Sequence, residues 1–230
     1  MYSAPHRYLF HHASWHWGRE GTLGSEHHLE SRQYPAEIQL YHYNSERYSS
    51  YEEAVGEEEG IAALSFLYEV SNEDNSNLNK VMQAISVLSF RIENIGQNDE
   101  FSEGEFESEV PNFQLDKLLP SEGVNFMDSY FYYSGSLTSP VYSKESTGPP
   151  RNCNESVLWI NYEKTIPISE SQLGTLRSLL TAINKKQQLQ YPSRKTCFGN
   201  FRPIHSLNME PTSGGQTRRL TGHNLWTDLS

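Results

Sequence analysis

The chain has 230 residues, enough for one domain with a sizeable core. Its formal net charge of -11 argues against nucleic-acid binding, which needs basic stripes, and reads as surface solubility. No apolar run approaches the ~20 residues of a membrane helix, and the start, MYSAPHRYLFHH, has no signal-peptide core.

Residues 13–18 (ASWHWG) read as a strand in which Trp15 and Trp17 alternate with Ser14 and His16. Side chains two apart share a face, so His12, Ser14 and His16 point together. Residues 36–44 (AEIQLYHYN) form a second strand. Glu37, Gln39, Tyr41 and Tyr43 lie on one face, with Ile38, Leu40 and His42 on the other. Residues 48–59 are a short helix or turn with an acidic, solvated end. The apolar run 60–70 (GIAALSFLYEV) is a buried strand. Over 77–90, Leu78, Val81, Met82, Ile85 and Leu88 recur at helical spacing, a stripe that reads as core packing.

Residues 98–109 are an acidic loop, and 157–162 (VLWINY) a further strand. Over 166–180, Ser169 is the expected helix N-cap, Gln172 completes a capping box, and Leu173, Leu176, Leu179 and Leu180 form the apolar face. Beyond Met209 the chain is polar and Gly-rich. The reading is one domain over 1–208 and a disordered tail over 209–230. Cys153 and Cys197 are free thiols or a pair; sequence leaves both open. Asn154-Glu155-Ser156 is an N-glycosylation sequon.

The runs WHWG, SEH and YPAEIQLYHYN, in that order, resemble the signature of the α-carbonic anhydrases. GSLTSP at 135–140 and NFRPIHSLN at 200–208 extend the likeness to roughly residues 8–208. The resemblance implies a mainly β (α+β) fold: a large twisted, mainly antiparallel sheet with short surface helices. It also implies that an N-terminal segment present in the family is missing here, which would expose sheet edges. Residues 141–148 look inserted beside the pocket mouth. By resemblance, Cys153, six residues before Trp159, matches a cysteine that secreted members bond to a partner near the N-terminus.

The family holds a catalytic zinc with three histidines. Carried over, those positions fall on Ser14, His16 and Gln39, so His16 is the only retained ligand. A seryl alcohol is a poor zinc ligand at neutral pH, and an amide oxygen suits harder ions. Thr138 and Glu26 match the pair that orients the zinc-bound hydroxide, a vestige where no hydroxide forms. His12 matches an outer-shell position and would have to reach past Ser14 to bind metal. Glu37 matches the carboxylate that orients the third ligand, and opposite Gln39 that purpose is lost. His27 and His42 match structural histidines. Tyr41 replaces a valine in the substrate wall, while Ala63, Leu137 and Val157 keep it apolar.

The chain is most similar to the carbonic anhydrase-related proteins and to the carbonic anhydrase-like ectodomains of receptor-type tyrosine phosphatases gamma and zeta. The shared runs are SSYEEAV at 49–55, ALSFLYEV at 63–70, GSLTSP and ISESQL at 168–173. Those ectodomains bind cell-surface proteins of the immunoglobulin class. The resemblance therefore implies a catalytically inactive protein-binding module with no cofactor, in an extracellular or cell-surface parent. The alternative is an active carbonate dehydratase whose zinc site is rebuilt with His12 or tolerates Gln39.

Overall fold

The computed structural model describes residues 7–21, 23–94, 107–120, 129–138, 156–190, 199–202 and 218–221. It begins with strand β1 (Tyr8–Trp17), the short pair β2 (His28–Leu29) and β3 (Arg32–Gln33), and strand β4 (Ala36–Asn44). Helix α1 (Tyr51–Ala54), strand β5 (Ile61–Ser71) and helix α2 (Asn79–Glu93) follow. Strands β6 (Ser129–Gly135), β7 (Val157–Tyr162) and β8 (Ile166–Ser169), helix α3 (Glu170–Gln190) and strand β9 (Arg218–Thr221) complete it. The main sheet has the order β1-β4-β5-β7-β6-β9, with β8 on β5. β5 pairs in parallel with β7 and β8; the other pairings are antiparallel.

The alternation of side chains gives this sheet two dissimilar faces. On one, Trp17, Ile38, Leu40, Leu64, Phe66, Tyr68, Ile160 and Tyr162 pack against Met82 and Ile85 of α2 and Leu173, Leu176 and Leu180 of α3. On the other, Tyr41, Ile61, Ala63, Val157 and Trp159 pack with Leu137 and with Tyr51 and Ala54 of α1. The first face is the hydrophobic core. The second carries the candidate site.

Several elements differ from the sequence expectation. β1 starts at Tyr8 rather than 13, because Tyr8, Leu9 and Phe10 continue pairing with Asn44, Tyr43 and His42. The register then slips between Phe10 and His12, and His12 faces Tyr41. α2 extends its stripe to Ser89 and Ile92, and α3 continues through buried Ala182. The two cross where Ser89 Oγ lies 3.3 Å from Ser178 Oγ. The tail expected to be disordered contributes β9, whose backbone pairs with β6 from Ser129 to Tyr132. Cys153, Cys197, Asn154, the 141–148 stretch and most of the acidic loop lie outside the described residues.

The capping box forms. Ser169 Oγ accepts from Gln172 N at 3.1 Å, and Gln172 Oε1 accepts from Ser169 N at 3.3 Å. The same amide also accepts from Asn75 N at 3.0 Å and donates to Asn75 O at 2.8 Å, tying α3 to the turn before α2. Gln172 is 3% exposed, so these groups have no access to replacement water. Gln172→Ala should therefore destabilise the fold by about 1–3 kcal/mol, read as a lower urea midpoint, with Ser171→Ala close to neutral.

Candidate functional site

Register places the site residues in rows across the sheet. Ser14 lies beside Gln39, and Gln39 beside Ser65. His16 lies beside Glu37. His12, Tyr41, Ala63, Trp159 and Tyr133 make a parallel row through four pairings. The segment 199–202 closes the end of β1. Asn200 Oδ1 accepts from Trp17 N at 2.7 Å, and Asn200 Nδ2 donates to Trp15 O at 2.7 Å. Gly199 permits that approach, since a Cβ there would meet Trp17 O at 2.8 Å.

At the centre is the Glu37 carboxylate, which is fully buried. Its Oε1 accepts from His27 Nδ1 at 2.6 Å, Gln39 Nε2 at 2.8 Å and Ser65 Oγ at 2.8 Å. Its Oε2 accepts from the backbone N–H groups of Glu26 and His27, both at 2.8 Å. Burial alone would raise its pKa. The His27 charge and these hydrogen bonds outweigh burial and hold it at about 2. Burial likewise opposes charge on His27, but Glu37 outweighs it and the imidazole pKa rises. Its Nε2 shares a hydrogen bond with Tyr133 Oη at 2.7 Å, donated by the ring when it is protonated and by the phenol when it is neutral.

Gln39 is saturated. Its amide nitrogen donates to Glu37 and, at 3.0 Å, to Glu26 Oε2. Its Oε1 accepts from Tyr41 Oη at 2.5 Å. The two carboxylates settle which amide atom is nitrogen, because the flipped amide would set oxygen against oxygen. Burial pushes the Tyr41 phenol well above its ordinary range, so it stays a donor. Glu37 therefore orients its neighbour Gln39 on β4. An amide N–H serves the same acceptor as an imidazole N–H.

His16 is 5% exposed. Its Nδ1 donates to Asn200 O at 2.8 Å, with Glu26 Oε1 3.3 Å away. The Nε2 lone pair is left buried and without a hydrogen-bond partner among the described residues. Thr138 and Glu26 do not bond one another. Glu26 is engaged by Gln39 Nε2 and, at 2.8 Å, by Arg202 N, while the buried Thr138 hydroxyl lies beside the Tyr41 phenol. His12 does not reach past Ser14. Its ring stacks on Tyr41 at 4.8 Å, and its Nδ1 meets His11 Nδ1 at 2.8 Å. Tyr41, Ala63, Leu137 and Val157 meet in one buried cluster.

Sequence reasoning missed Ser65, Tyr51, Asn200 and the His27–Glu37 ion pair. Ser65 had a signal, being a hydroxyl inside an otherwise apolar strand. Such a group needs a buried acceptor. Asn200 and Tyr51 had none, since their partners lie far along the chain.

This sheet and this side-chain constellation define a domain of the carbonic anhydrase type. The sequence model of the eukaryotic-type carbonic anhydrases matches residues 2–211, and the chain belongs to that family. Human receptor-type tyrosine-protein phosphatase zeta is 34% identical over 170 residues, which is 73% of this chain and 6% of that protein. Human carbonic anhydrase 7 is 31% identical over 84% of this chain and 59% of its own length. Human carbonic anhydrase-related protein is 28% identical over 88% and 60%. The chain thus spans less than two-thirds of each relative.

The ion pair sets a pH window. The Glu37 contribution is complete above the ordinary carboxyl value of 4.5 and is lost as pH falls towards about 2. The His27 contribution is complete below 6.5 and is lost as pH rises through its raised value. Melting temperature should therefore plateau between those limits. His27→Gln should cost about 3–5 kcal/mol and remove the alkaline decline. An unchanged alkaline limb in the variant would show that His27 is not the group responsible.

Proposed function

We propose that this domain is a catalytically silent carbonic anhydrase homologue that serves as a protein-binding module. The observation carrying the first half is the saturation of Gln39. Zinc held by three imidazoles lowers the pKa of its bound water from 15.7 to about 7, which makes hydroxide at neutral pH. The donor set here does not fit that ion. Gln39 turns its nitrogen to two carboxylates and its oxygen to a phenol. Ser14 offers an alcohol, leaving the His16 Nε2 lone pair as the single good donor. Tyr41 adds a second obstacle by placing a phenol ring in the apolar wall.

The rebuilt-site reading, a working carbonate dehydratase, needs a replacement imidazole. His12 is the candidate, yet its ring stacks on Tyr41 and its Nδ1 turns to His11 rather than to His16. The binding half rests on kinship with a receptor-type phosphatase and a carbonic anhydrase-related protein. It carries the expectation of an extracellular or cell-surface parent and of a cell-surface protein as partner. No helix of the described residues is long and apolar enough to cross a membrane.

The test is zinc content and carbon dioxide hydration by stopped flow. Wild type should hold no stoichiometric zinc and show no rate above buffer. Ser14→His/Gln39→His should bind zinc, and adding Tyr41→Val should raise the hydration rate further by reopening the wall. A sulfonamide-sensitive rate in wild type would overturn the silent-site reading. The binding role is tested separately, by surface binding of the purified domain to a panel of immunoglobulin-class ectodomains. Saturable binding retained by the double variant would support it, and failure across the panel would remove it.

A further inference from the structure

The slip in β1 has a chemical consequence. Between Phe10 and His12 one residue is left out of the pairing, and the two neighbouring imidazoles come together. His11 Nδ1 and His12 Nδ1 are 2.8 Å apart, with the ring planes at 88°. Each ring is fixed by its own tyrosine. His11 stacks on Tyr51 at 4.3 Å and 3°, and His12 on Tyr41 at 4.8 Å and 11°. On the far side of the His11 ring, Glu52 Oε1 lies 3.9 Å from Nε2. The His11 side chain is 39% exposed, so the pair opens to solvent.

We propose that His11 and His12 form a two-imidazole binding site for copper(II), separate from the pocket around His16. Metal–imidazole bonds of about 2.0 Å at right angles put two nitrogens about 2.8 Å apart, the spacing found here. Tetragonal geometry with nitrogen and oxygen donors is the copper(II) preference, and copper stands highest in the divalent affinity order. Binding moves the shared proton. With both Nδ1 lone pairs on the metal, each neutral ring carries its hydrogen on Nε2, and no proton leaves the protein. For His11 that hydrogen then points towards Glu52. At 3.9 Å Glu52 is beyond hydrogen-bond reach and acts on that ring through its charge. Among the described residues no three His, Cys, Asp or Glu side chains converge on one point, so water fills the remaining positions.

The experiment is titration of the purified full chain with copper(II) chloride in a non-chelating buffer, followed by calorimetry and electron paramagnetic resonance. Wild type should bind one equivalent with an axial spectrum split by two nitrogens. His11→Gln and His12→Gln should each lose the saturable binding and the two-nitrogen splitting. His16→Gln and His28→Gln should keep both. His11 is exposed, so its variant keeps the wild-type melting temperature, which separates loss of the site from loss of the fold. Binding that survives both His11 and His12 variants, binding lost only in His16→Gln, or no saturable binding in wild type would each overturn the site. The silent-site reading is untouched by any of these results, because it concerns zinc and hydration.

Discussion

A carboxylate with no access to water must find donors for both its oxygens, and Glu37 finds five. That requirement draws β4, β5 and the 25–27 segment together at one point. His27 brings the compensating charge, Ser65 a hydroxyl, Gln39 an amide, and the 26–27 backbone two N–H groups. A charge buried this deeply is expensive alone and acceptable inside such a shell. The loops that carry Glu26 and Arg202 are placed by the same network, one hydrogen bond further out.

The same logic explains why Gln39 and Tyr41 belong together. An amide facing two carboxylates must present its nitrogen to them. Its oxygen then points the other way and needs a donor. The Tyr41 phenol supplies one, and burial keeps that phenol protonated. The two residues therefore act as a single unit in the sheet. The unit combines an amide held by three hydrogen bonds with a buried phenol ring. The buried His16 Nε2 is left without a hydrogen-bond partner among the described residues.

Much of the architecture was legible because it follows short-range rules. The alternation of Trp15 and Trp17 with Ser14 and His16 named the two faces of β1 before any partner was known. Ser169 and Gln172 announced the start of α3. The row Glu37, Gln39, Tyr41 was correctly placed on one face, together with His12, Ser14 and His16. What could not be read was who satisfies whom. Residue types alone do not say that Gln39 donates to Glu37. The geometry shows that an amide can replace an imidazole as donor. Four residues such as Arg218–Thr221 carry no strand signal of their own; pairing with β6 supplies it.

By itself the amino-acid order determined the family, the faces of the strands and the chemical identity of the residues at the site. Those are set by spacing along one chain, where period and residue type suffice. Only the tertiary structure decided that Gln39 is locked and that Thr138 and Glu26 stay apart. The pairing of His11 with His12 across a register slip was also decided there. Each of those depends on distances between segments remote in sequence, and a hydrogen bond is sensitive to tenths of an ångström that no pattern of letters encodes.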